Sequence, residues 1–92
     1  MSTTPVSTET AWVVYIILAS DNSLYTGICT DIDRRFSEHA SGQGAKYFRG
    51  RRPLRVCYQE SYPDRSSASK REWQIKQLSR QQKQRLIDLH AP

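Results

Sequence analysis

The 92-residue chain alternates short apolar runs with polar or glycine-rich stretches, and the period of each run sets the element it predicts. Trp12 to Leu18 is dense in β-branched and aromatic residues, and its apolar run, Val13 to Ala19, is interrupted at Tyr15 alone. That is the pattern of a buried strand, and it is far too short to span a bilayer. Ser20-Asp21-Asn22-Ser23 supplies turn chemistry, and Leu24 to Ile28 reads as a second strand, so the two predict a hairpin. Thr30 and Asp31 are placed to cap a helix over about 31–40, whose apolar positions Ile32, Phe36 and Ala40 recur every four residues and which Gly42 ends. Ser41 to Pro53 holds three glycines and a proline and reads as a loop. Leu54 to Glu60 predicts a third strand of the same sheet, with Leu54, Val56 and Tyr58 on one face. Tyr62-Pro63-Asp64 then turns the chain. A helix follows from about Ser66 through Trp73, Ile75 and Leu78, and Ser79-x-x-Gln82 has the form of a capping box that starts another. A break is therefore expected near Ser79, with Leu86, Ile87 and Leu89 on a final short amphipathic helix. The sum is an α+β fold, a small three-stranded antiparallel sheet flanked by helices, in one domain over 11–92. Residues 1–10, rich in Ser, Thr and Pro without apolar periodicity, read as a flexible tail.

Composition narrows the partner. Lys and Arg outnumber Asp and Glu by 14 to 9, a formal charge of +5, which suits a polyanion. Much of the excess is concentrated in the loop and the strand after it, where Lys46, Arg49, Arg51, Arg52 and Arg55 are candidate contacts to a phosphate backbone. Cys29 and Cys57 have no CxxC spacing and no clustered histidines, so neither a zinc site nor a redox motif is readable and reduced, structural thiols are expected. Met1 to Thr10 lacks the basic start and apolar core of a signal peptide, which leads to the expectation of a cytoplasmic protein that does not engage a membrane.

Three weak features carry the candidate chemistry. Tyr15 and Tyr25 lie on adjacent strands of the hairpin, where tyrosines are more often packing residues. Arg35 and His39, four apart, stand one above the other on a helix face and border its apolar stripe, the bland alternative being a solvated basic face. Glu72 lies four residues before Lys76, ordinarily the mark of an exposed ion pair.

Together these features stand in the order of the GIY-YIG nuclease superfamily. Val14-Tyr15-Ile16 resembles its first tripeptide and Tyr25-Thr26-Gly27 its second, with a hairpin turn between them. Thr30-Asp31-Ile32-Asp33-Arg34-Arg35-Phe36 resembles its helix. The likeness covers roughly Ala11 to Asp88, and Gly42-x-Gly44-Ala45-Lys46 with Lys76-Gln77-Leu78-Ser79-Arg80 resembles the small stand-alone bacterial branch of YhbQ-like proteins. The leading glycine of the name motif is absent, and Ile28 stands where excision-repair members carry a lysine. The resemblance implies a metal-dependent endonuclease that hydrolyses a DNA phosphodiester with low sequence specificity, in repair or processing. It implies Arg35 at the scissile phosphate, Glu72 as ligand of a single divalent ion, Mg²⁺ or Mn²⁺, and Tyr15 or Tyr25 orienting or deprotonating the attacking water with His39 taking the proton. The alternatives are a catalytically weak nucleic-acid-binding module using the same basic face and an adaptor whose C-terminal helix meets a protein.

Overall fold

The computed structural model describes residues 11–90, so the expected tail over 1–10 lies outside the described residues. The chain forms β1 (Trp12–Ala19), β2 (Leu24–Cys29), α1 (Ile32–Ser41), a one-turn 3₁₀ helix (Lys46–Phe48), β3 (Pro53–Tyr62), α2 (Arg65–Lys76) and α3 (Arg80–Leu89). The strands make one antiparallel sheet in the order β2-β1-β3. This is the expected α+β architecture. Among the described residues no helix is long and apolar enough to cross a membrane.

β1 is central and buried on both faces, which is why its apolar run is nearly continuous rather than alternating. Val14 and Ile16 join Tyr58, Ala68, Ile75 and Ile87 in the core under α2 and α3. Tyr15, Ile17 and Ala19 join Cys29 and Phe48 in a second core on the opposite face, against which Ile32 and Phe36 of α1 pack. The helices start where side chains satisfy their free amides: Asp31 accepts from Arg34 N, Asp64 from Ser67 N, and Ser79 and Gln82 complete the capping box. That box produces the expected break between α2 and α3.

Three details depart from the sequence expectation. Leu54, Val56 and Tyr58 do not share a face: Tyr58 packs with Ile16, Val56 packs with Ile17, and Leu54 is half exposed. The cause is a bulge, because Ile16 pairs with Tyr58 while Ile17 pairs with Val56 and leaves Cys57 unpaired. A second shift follows, since Leu18 pairs with Arg55 and Ala19 with Pro53, which leaves Leu54 unpaired. On α1 the buried position at the last turn is His39, 1% exposed, whereas Ala40 faces solvent. Within the loop the 3₁₀ turn buries Phe48.

The rotation of α2 matters for the site. Ala68 and Ile75 face the sheet, and Arg71 reaches Glu60 of β3, with Nε 2.9 Å from the carboxylate. Glu60 also accepts from Tyr58 and Tyr62, so this flank of the helix is fixed over β3. At 100° per residue, Arg65, Glu72 and Lys76 fall on the other flank, toward the edge strand β2.

Candidate active site

Alternation along the hairpin puts Tyr15, Tyr25, Gly27 and Cys29 on the α1 face, Tyr15 opposite Gly27 and Tyr25 opposite Ile17. Tyr15 Oη lies 3.0 Å from His39 Nε2. The approach requires glycine at 27, where a Cβ would stand 2.5 Å from that oxygen. Glycine is equally required at 44, because a Cβ there would overlap the His39 ring. Behind Gly44, the Ala45 amide donates to His39 Nδ1 at 3.2 Å. A neutral imidazole that accepts at Nδ1 carries its proton on Nε2, so His39 donates to the Tyr15 hydroxyl oxygen.

Electrostatics support that assignment. Burial holds the His39 pKa below its ordinary value of 6.5, the Arg35 guanidinium pushes it further down, and Glu38 opposes them. Burial also raises the Tyr15 pKa far above that of a free phenol, with Tyr25 adding to the rise and Arg35 working against it. Tyr15, 1% exposed, is therefore a protonated, enclosed group. Tyr25 is half-buried and reaches solvent. Its ring lies 5.5 Å from His39, 5.0 Å from Tyr47 and 5.2 Å from Phe48, so the 3₁₀ turn pins the basic loop beside it.

Arg35 Nη1 is held by Glu38 Oε1 at 3.0 Å. It lines a cleft of about 340 Å³ between the first turns of α1 and α2, together with Trp12, Cys29, Asp31, Arg34 and Arg65. Arg65 lies over the Trp12 ring at 5.6 Å. It was not anticipated from sequence. Tyr47 was also missed, and its signal was an aromatic pair, Tyr47-Phe48, set between glycines and arginines.

The structure brings Tyr15, Tyr25, Arg35 and His39 together, and Glu72 is not in contact with them. α2 covers the other face of the sheet, where the Glu72 side chain is 22% exposed and bonded to Lys76 Nζ at 3.1 Å. It nevertheless occupies the flank of α2 that also carries Arg65, two turns along the helix toward the β2 edge. Among the described residues there is no group of three or more His, Cys, Asp or Glu that would hold a metal. A divalent ion would thus rest on this single carboxylate, a donor set that fits Mg²⁺, which keeps most of its waters.

The basic residues divide. Lys46, Arg49 and Arg52 are exposed. Arg51 is bonded to Asp21 at 3.0 Å and lies 4.1 Å over the Tyr47 ring. Arg55 is on the opposite face of the sheet, beside Arg80.

Comparison with known proteins adds the family context. Residues 11–85 match the model of the GIY-YIG catalytic domain. The UPF0213 protein plu4503 of Photorhabdus laumondii is 49% identical over 79 residues, 86% of this chain and 76% of that one. The UPF0213 protein YhbQ of Escherichia coli is 46% identical over 78 residues, 85% of this chain and 78% of that one. The solution NMR structure of the UPF0213 protein BH0048 from Bacillus halodurans superposes with a TM-score of 0.58 at 44% identity, covering 88% of this chain and 86% of that one.

Proposed function

This chain belongs to the GIY-YIG catalytic-domain family, and from that premise we propose that it is a metal-dependent endonuclease that nicks DNA with little sequence preference. Membership implies nuclease-type chemistry on a nucleic-acid substrate. The observation that carries the finer reading is the convergence of Tyr15, Tyr25, His39 and Arg35 beside an arginine-lined cleft.

The residues divide the work. Arg35 leaves Glu38 for the scissile phosphate, where its planar fork stabilises charge that grows in the transition state. Tyr15 is too enclosed and too weak an acid to act as a base at neutral pH. Its oxygen accepts the His39 Nε2–H, so its own hydrogen is free to be donated to the phosphate. Tyr25, open to solvent, orients the attacking water, whose proton passes to the surrounding solvent as its oxygen bonds to phosphorus and the bond to the leaving oxygen breaks. His39 is a donor that positions Tyr15 rather than a proton acceptor. Glu72 would hold a divalent ion, which when bound would supply charge neutralisation at the reacting phosphate. The exposed loop cations Lys46, Arg49 and Arg52 hold the backbone without reading bases, and so small a footprint favours low sequence specificity.

The test pairs DNA-binding anisotropy with a nicking assay across a Mg²⁺ titration. Arg35→Ala is expected to slow nicking by about 10²–10³-fold with a modest loss of affinity. Glu72→Gln is expected to remove the Mg²⁺-dependent rate while leaving affinity unchanged or slightly higher, since a negative charge near phosphate is lost. Wild-type protein that binds but cuts no branched, single-stranded or duplex substrate would establish the binding-module reading instead.

A further inference from the structure

Away from the cleft, the junction of α2 and α3 carries a second concentration of positive charge. Lys76 closes α2 and Arg80 opens α3, with Lys83 one turn further on. Arg55 of β3 and Arg80 line a pocket of about 140 Å³ on this face, with Asn22, Cys57 and Gln84. Partial burial holds Lys83 below the ordinary lysine pKa, and repulsion from Lys76 and Arg80 lowers it further. Cations kept within reach of one another cost folding stability, and the cost is recovered when an anion binds among them. One turn before Lys76 stands Trp73, 65% exposed, on the same side of α2. Trp12, by contrast, is capped by Arg65.

A free indole face beside cations fits a nucleobase whose own face is free. Bases in a duplex are covered above and below by their neighbours, so an indole on a helix surface reaches only an unpaired one. We propose that the α2–α3 junction binds an unpaired nucleic-acid strand, Trp73 stacking on a base while Lys76, Arg80 and Lys83 contact its phosphates. Glu72 is bonded to Lys76, so the surface is continuous with the carboxylate assigned to the metal. The strand leaving the reacting phosphate would run along α2 onto this junction, which makes the substrate a DNA with a single-stranded arm. In that last step the inference rests on the nuclease reading.

The test uses the full chain without divalent metal, titrated against a labelled oligo-dT and a blunt duplex. Trp73→Ala is expected to weaken oligo-dT binding about 5- to 150-fold, the range for loss of one stacked base, and to leave the duplex unchanged. Trp73→Phe is expected to retain most of the affinity. Arg80→Gln and Lys83→Gln are each expected to lower the log–log salt slope on oligo-dT by about 0.7. The proposal is overturned if Trp73→Ala binds oligo-dT as wild type does, or if it loses duplex and oligo-dT binding equally. A stacking effect found in a protein that never cuts would uphold this surface and remove the nuclease reading. Normal cutting with no Trp73 effect would remove this proposal alone.

Discussion

A buried imidazole must find partners for both nitrogens, and His39 finds them in two different parts of the chain, the Ala45 amide and the Tyr15 hydroxyl. Its neutrality is built into that pair of contacts and gives stability a pH dependence of definite sign. The folded-state pKa is depressed below 6.5, so between the folded and unfolded values the unfolded chain binds the extra proton. The contribution is present above about pH 6.5 and is lost as pH falls through the folded pKa. Urea midpoints measured from pH 7 to pH 5 should fall for wild type and fall less for His39→Gln, and parallel profiles would show that another group titrates. Sequence spacing was enough to place Arg35 and His39 on one helix face. The tautomer was not legible, because it depends on an amide six residues away that reaches the ring through the space left by Gly44. Nor was the difference between the two tyrosines, which is a difference in depth that the hairpin pattern does not encode.

At the scale of elements, the strands, the capped helices and the break at Ser79 were readable because each has a local cause: β-branched runs, a capping side chain, a reciprocal Ser79–Gln82 box. The 3₁₀ turn and the rotation of α2 have distant causes, the aromatic packing on Tyr25 and the Arg71–Glu60 bond. The loop is held to α1 by close approach rather than by its own propensity. Gly44→Ala should therefore cost about 1–3 kcal/mol through overpacking against His39, lowering Tm by roughly 10 °C in a domain of this size. Gly50→Ala meets nothing within 4 Å and should stay within about 0.5 kcal/mol of wild type. Thermal melts of the two variants side by side check the difference, and equal losses would mean that the loop tolerates a methyl at either site.

Over the whole molecule, the sheet separates two basic surfaces, one formed by the loop beside Tyr25 and one by the α2–α3 junction. The sequence showed the charge excess but not its partition, since Arg51 and Arg55 look equivalent to Arg52 until their partners are known. On duplex DNA, Arg52→Gln should reduce the log–log salt slope by about 0.9, whereas Arg51→Gln should reduce it by less, because Asp21 already meets that charge. Anisotropy over a salt series reads both, and equal reductions would show that Arg51 leaves Asp21 to bind phosphate. The bulge in β3 decides which surface receives Arg55. A strand has a reading frame of two, and an inserted or deleted residue ordinarily inverts everything beyond it. Cys57 and Leu54 stand outside the pairing, so removing Cys57 leaves Tyr58, Val56 and Arg55 opposite the same partners. A residue inserted between Arg55 and Val56 instead would shift the frame and send Arg55 through to the side of the tyrosines, opposite Ala19. Deletions at the bulges are silent, whereas one residue added to the regular pairing between them rewrites the charge of both surfaces.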